Sequence, residues 1–382
     1  MARWLLPEGI SDVLPQEARR LEQMRRTLLD LFAHWGYELV IPPLIEYVDS
    51  LLTGAGADLD LRTFKLIDQM SGRMMGLRAD TTPQVARIDA HILNRSGVVR
   101  LCYASHVLHA RPLHPLAPRE PFQVGAELYG HAGLSADTEV LRLAAQALAA
   151  IGVSGARFDL GHTGVLRALL AGDAVAAART DDIVVALSSK DGAALDTASE
   201  GLSAAAQRGL RALLRLHGSV EVLGQARRDL PALPEISTAL DELEELAGQA
   251  GVDGLCVDLA DLHGYRYHTG VTFAAYLPGL PGPLARGGRY DDIGRAFGRA
   301  RPATGFSIFL RDLTRSETNG TSRAILAPPI TDASLAAFIT SLRDAGQTVV
   351  QQLADGDVPA SHRFDHEIRQ VVGTWQVVPR GT

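Results

Sequence analysis

The chain has 382 residues, 46% of them hydrophobic and 21% charged, with 37 basic against 44 acidic side chains and a net charge of −7. These are ordinary globular values, which exclude a disordered or fibrous chain, and the acidic balance argues against a protein whose business is coating nucleic acid. The length implies roughly two to three domains. Cys102 and Cys256 sit in apolar, strand-like runs without CxxC spacing, so they read as buried thiols of a reducing compartment, the cytoplasm. No apolar run approaches the ~20 residues of a membrane helix.

In chain order, Pro15 to Trp35 predicts a helix. Pro15 suits the first turn, and Leu21, Met24, Leu28, Leu31, Phe32 and Trp35 recur at helical spacing until Gly36 stops it. The next run, YELVIPPLIEY, is a strand that Pro42 and Pro43 confine to a sheet edge or an interface. Ser50 to Asp60 reads as a loop, and Arg62–Met70 with Arg73–Leu77 as a hairpin. In LRADTTPQVARIDAHIL, Thr82 before Pro83 has the form of a helix cap, with the helix continuing through Leu93. Asp80, two residues earlier, has a local role only if it reinforces the helix dipole; otherwise it faces a ligand.

Arg100 to Leu108 and Phe122 to Tyr129 predict two strands joined by a loop carrying prolines 112, 115, 118 and 121. In the second strand Gln123, Gly125 and Glu127 fall on one face, and Phe122, Val124, Ala126 and Leu128 on the other. An amide and a carboxylate beside a glycine suit an ammonium or imidazole ligand, with the glycine leaving room for its approach. The same pattern fits a strand whose polar face meets water. His106, His109 and His114 span a strand end and a proline loop without a thiol or paired carboxylate, a poor metal set. TGAGADL at Thr53 has Leu59 where a nucleotide-binding fingerprint needs glycine.

Ser135 to Ile151 predicts an amphipathic helix leading to a strand at Arg157–Leu160. Residues 165–250 have the Ala- and Leu-rich composition of a helical insertion, with Ile236, Leu240, Leu243 and Ala247 as a core stripe. From Gly254 a second hairpin is expected, turning near Asp261 to Gly264. After ARGGRYDDIG, the run ATGFSIFLRDLTR is expected to enter a helix. Ser316 to Ser322 reads as a linker. Beyond it come a strand in RAILAPP, a helix over Asp332–Ala345, and strands over Thr348–Leu353 and Gln370–Val378, a small α/β piece.

With these pieces in order, the chain to about residue 315 resembles the catalytic core of histidyl-tRNA synthetase. HWGYELVIPPLIEY is similar to the first signature motif of class II aminoacyl-tRNA synthetases, which builds their dimer interface. LRADTTPQVAR resembles the synthetase's histidine-pocket strand and helix, with Asp80 and Thr82. FQVGAELYG resembles the strand carrying its glutamine and glutamate, here Gln123 and Glu127. LHGYRYHTGVTF resembles its histidine-specific loop, with Tyr267 and His268 for two tyrosines, and GGRYD keeps Tyr290. The resemblance implies an α+β fold: a class II synthetase-like antiparallel sheet flanked by helices, with the 165–250 insertion and a small C-terminal α/β domain over 323–382.

Departures from the synthetase share a theme. Leu108 and Ala110 replace an ATP-binding arginine and an acid, and His263 replaces an arginine. Arg311 and Asp312 replace a glutamate–arginine pair, and Phe309 replaces a glycine; Arg119 is one arginine retained. Adenylate formation needs fixed guanidinium groups on an anionic transition state, so activation of the amino acid is expected to be lost. The residues after the linker are also too few for the synthetase's anticodon-binding domain. This combination resembles the family of ATP phosphoribosyltransferase regulatory subunits. The resemblance implies no catalysis and no cofactor. It implies assembly with a short-form catalytic subunit, homodimerisation through 37–47, and feedback inhibition by histidine held by Asp80, Thr82, Gln123, Glu127, Tyr267, His268 and Tyr290. An active histidyl-tRNA synthetase, or a synthetase-like ligase for another amino acid, is the alternative.

Overall fold

A computed structural model describes residues 4–53, 57–112, 117–173, 175–314, 323–329, 332–354, 356–360 and 362–380. Contacts group the chain into two units, one comprising Met1–Asp12 with Leu21–Thr314, the other Val13–Arg20 with Arg315–Thr382. The expected linker over 316–322 lies outside the described residues, as does His114. No helix among the described residues is long and apolar enough to cross a membrane.

The first unit is built on a nine-stranded sheet. Its order is Glu38–Leu39, Val99–His106, Phe122–Tyr129, Ala303–Phe309, Ala285–Arg289, Val271–Tyr276, Arg157–His162, Leu255–Asp258 and His217–Ser219. Glu38–Leu39 runs parallel to Val99–His106, and Arg157–His162 runs parallel to Leu255–Asp258; the other pairs are antiparallel. One face is covered by the helix Leu134–Ala150 and by the C-terminal part of the helix Pro15–His34, whose Phe32 ring meets Phe306 edge-on at 5.9 Å. The other face carries the site.

Several expectations are corrected. Ala303–Phe309 is a strand, not a helix, and the helix is the short turn Arg311–Thr314. Apolar residues on both faces gave that run no period of two, because both faces are covered. Leu255–Asp258 and Val271–Tyr276 do not form a hairpin, since Arg157–His162 lies between them. YELVIPPLIEY divides between two sheets, Ile45–Tyr47 pairing with Met74–Leu77 in a small sheet completed by Phe64–Ile67. Ser50 to Asp60 contains helical turns, Val48–Leu51 and the start of Ala57–Arg62. The 165–250 segment is helical except for His217–Ser219, which lengthens the main sheet. Cys102 is buried but Cys256 only partly so; both are free thiols.

In the second unit the strands are ordered Val349–Gln351, Arg323–Ala327, Arg363–Val371 and Thr374–Pro379. The helix Ala333–Asp344 starts where the Asp332 carboxylate accepts from the Leu335 amide, 2.9 Å. Leu335 and Ile339 pack on Ile325, Val349 and Ile368. The strand Arg363–Val371 was not expected, because charges hide its alternation.

Candidate functional site

Phe122–Tyr129 lies inside the sheet and all eight of its residues are buried, so the water-facing reading of its polar side does not hold. Gln123 and Glu127 are each only 1% exposed. A carboxyl group at such depth needs donors, and the fold supplies three hydroxyls. Oε1 of Glu127 accepts from Thr82 Oγ1 and from the Tyr103 hydroxyl, each at 3.2 Å, and Oε2 accepts from the Tyr290 hydroxyl. Burial pushes the Glu127 carboxyl up to about 8. Hydrogen bonds from Tyr290, Thr82 and Tyr103 oppose that rise, and the charge of Asp80 adds to it.

Gly125 serves this arrangement differently from the expectation. It stands opposite Tyr103 in the hairpin register, and a Cβ there would overlap the Tyr103 hydroxyl. The glycine leaves room for a protein side chain that orients Glu127, not for a ligand. Gly305, opposite Glu127 on the next strand, is required likewise, since a Cβ would overlap the Glu127 carboxylate.

Asp80 and Gln123 form a second polar group. Oδ1 of Asp80 accepts from the Thr82 amide and from Gln123 Nε2, both at 3.0 Å, and Gln123 Oε1 accepts from the Thr81 amide at 3.0 Å. Asp80 therefore does have a local role, holding the strand-to-helix junction, while its Oδ2 has no partner among the described residues. Thr82 is not the cap. Thr81 holds that position without a side-chain hydrogen bond, and Thr82 opens the helix Thr82–Arg87, its hydroxyl turned to Glu127. The helix then widens into a π-helical turn, Ile88–Leu93, in place of a regular run.

Aromatic rings close the third side. Tyr267 stacks on Tyr290 with centroids 4.9 Å apart and planes at 27°, and its buried hydroxyl has no partner. His268 stands edge-on to Tyr267 at 5.3 Å and lies over Gly288, where a Cβ would crowd its ring. Burial pushes the His268 imidazole down to about 4, so it is neutral, with Nδ1 donating to the Gly264 carbonyl at 3.2 Å. The structure thus brings together Asp80, Thr82, Gln123, Glu127, Tyr267 and Tyr290, with His268 behind Tyr267. Tyr103 was missed by the sequence reading, because the hairpin register that sets it opposite Gly125 is a property of the fold.

Three arginines near this end of the sheet are engaged by the backbone. Arg119 donates to the carbonyls of His109 and Glu8 at 3.0 and 3.2 Å, and Arg311, 1% exposed, donates to those of Glu120 and Ser11 at 3.0 and 3.1 Å. Arg78 donates to the His106 and Pro42 carbonyls at 2.9 and 2.8 Å. His263 is held by Asp261. His109 bonds the Ala79 carbonyl at 2.9 Å, and His106 stands edge-on to Phe122, so neither is aimed at a shared ligand.

Comparisons with known proteins identify the family and the fold. A family profile described as Histidyl-tRNA synthetase matches residues 9–313, and one described as ATP phosphoribosyltransferase subunit HisZ C-terminal domain matches residues 322–378. Proteins named ATP phosphoribosyltransferase regulatory subunit from Burkholderia lata and Burkholderia multivorans are 55% and 56% identical over 382 residues, covering 100% of both chains in each case. A crystal structure of an ATP phosphoribosyltransferase regulatory subunit/histidyl-tRNA synthetase from Bacillus halodurans is 29% identical, with a TM-score of 0.84 over 95% of this chain and 97% of that one. Histidyl-tRNA synthetase from a Nostoc species, 16% identical, shares the class II synthetase fold, with a TM-score of 0.80 over 99% of this chain and 97% of that one. The chain belongs to the family of ATP phosphoribosyltransferase regulatory subunits, the histidyl-tRNA synthetase-like subunits of histidine biosynthesis.

Proposed function

We propose that this regulatory subunit senses free histidine in the pocket of Asp80, Thr82, Gln123, Glu127, Tyr267, His268 and Tyr290, and that occupancy lowers the activity of the short-form catalytic subunit with which it assembles. The observation that carries the reading is the pair of acids. Glu127, buried and poised near neutrality, suits an imidazole nitrogen, while the free Oδ2 of Asp80 suits an ammonium group. The unpartnered hydroxyl of Tyr267 supports it, because a buried polar group without a partner is costly and a ligand relieves that cost. A sensor needs only different affinities for histidine in two states of the complex.

The same reading divides the chain into a core over 1–315 containing the 165–250 insertion, a linker over 316–322 and a C-terminal domain over 323–382, working in the cytoplasm as a homodimer within a hetero-oligomer. Support for the dimer comes from the 37–47 segment. Its Glu38–Leu39 forms an edge strand of the main sheet, and Leu39, Ile41 and Leu44 stand 49%, 82% and 41% exposed.

Complexes carrying Glu127→Gln or Asp80→Asn test the pocket. Loss of a charged hydrogen bond, roughly 1.5–3 kcal/mol, should move feedback inhibition to higher histidine by about ten- to a hundredfold while the uninhibited activity is kept. An inhibition curve unchanged in both variants would place the inhibitory site elsewhere.

A further inference from the structure

Two guanidinium groups beside the pocket have nothing to hold. Gly288 pairs with Gly305, which pairs with Glu127, so Gly288 and its alternate neighbours Arg286 and Tyr290 lie on the pocket face. Arg289 points the opposite way, to Asp137, at 2.6 Å. Arg286 is half-buried with its Nε shielded from water, and it makes no hydrogen bond or ion pair among the described residues. Its strand lies two over from that of Gly125, about 10 Å across the sheet. The acid nearest in charge, Asp261, is engaged by His263 and by the Tyr276 hydroxyl, the latter at 2.8 Å.

Arg62, the last residue of Ala57–Arg62, is likewise half-buried, and its side chain has no partner among the described residues. Its carbonyl accepts from the Ala110 amide at 2.7 Å, and the ring of the neighbouring His109 bonds the carbonyl of Ala79, the residue before Asp80, at 2.9 Å. Arg62 thus lies on the Asp80 side, and Arg286 on the pocket face across Ser307 from Gly125. The three fully buried arginines among the described residues are all engaged, Arg78 and Arg311 by carbonyls and Arg289 by Asp137. Two like charges partly withdrawn from water, with neither in an ion pair and only the already engaged Asp261 offsetting Arg286 at longer range, gain from the arrival of an anion.

We propose that Arg62 and Arg286 form a carboxylate clamp, taking the α-carboxylate of the amino acid whose ammonium lies at Asp80 and whose side chain lies at Glu127. This inference rests on the histidine reading above and adds to it a recognition element that the family resemblance did not point to. The clamp makes the pocket selective for a complete amino acid over an amine or amino alcohol of the same shape.

Histidine and histidinol, which differ only in carboxylate against hydroxymethyl, test it by calorimetric titration of the full chain. Wild type should prefer histidine by at least about tenfold. Arg286→Met and Arg62→Met should each weaken histidine roughly tenfold with little change for histidinol, and the double variant should lose the preference. Because neither guanidinium makes a hydrogen bond or ion pair among the described residues, both variants should melt close to wild type. A preference that survives in the double variant overturns the clamp, as does lowered melting with equal loss of both probes, which would mark the arginines as structural. Inorganic pyrophosphate is the third probe. If its binding is lost in the variants while the preference for histidine stays, the anion is a phosphate and the proposal fails. Glu127→Gln separates the two readings: it should weaken both probes alike, and if it weakens neither, the histidine pocket itself is wrong and the clamp falls with it.

Discussion

Replacing Glu127 by glutamine should change how the unliganded chain depends on pH. The carboxyl stands at about 8 when folded, against an ordinary value of 4.5. Between these values the folded chain holds a proton that the unfolded chain has released, so stability falls as pH rises from about 4.5 to about 8. The full effect of such a separation is up to about 5 kcal/mol. Glutamine keeps the shape, cannot ionise, and should remove that slope. His109 and His268, both pushed down to about 4 by burial, contribute stability that is present above their ordinary value of 6.5 and lost as pH falls toward 4. That loss is common to both proteins and cancels in the difference. Urea unfolding from pH 5 to pH 9, followed by circular dichroism, should give wild-type and Glu127→Gln midpoints that draw apart in favour of the variant as pH rises. Parallel profiles would refute the argument that burial holds this carboxyl protonated.

Other expectations concern packing and assembly. Gly305→Ala drives a methyl group into the Glu127 carboxylate and to 2.7 Å from the Ala126 carbonyl. It should lower stability by about 1–3 kcal/mol and abolish histidine binding; a variant that binds normally would show the pocket floor to be less rigid than argued. Ile41→Asp charges the exposed edge segment and should convert a dimer at micromolar concentration into a monomer by sedimentation. A monomeric wild-type chain would count against the proposed interface.

The pocket was legible because strands impose alternation. Gln123 and Glu127 had to share a face, while Asp80 and Thr82 were set beside them only by the resemblance to the synthetase. What the sequence could not show was who would be opposite whom. Tyr103 became a donor to Glu127 only through the hairpin register, and Gly125, read as a ligand's entrance, is the space for that phenol. Ala303–Phe309 defeated pattern reading because a central strand is apolar on both faces, and Thr82 was read as a cap because its hydroxyl has the right chemistry for either task. Arg62 and Arg286 drew no notice, since an arginine's lack of a partner is a property of the fold and leaves no mark in composition or spacing.

Cys102 pairs in register with Leu39 of the edge strand, its carbonyl accepting from the Val40 amide at 2.9 Å. Its thiol is pushed up to about 12 by burial. A thiol so placed is silent toward alkylating reagents in the closed fold and reacts only when a local opening exposes it. Cys256, on a strand near the opposite edge of the same sheet and only partly buried, has no such gate. The protein thus carries a native pair of chemical clocks, one timing local opening of the sheet around Cys102 and the other, already partly exposed, keeping the ungated rate.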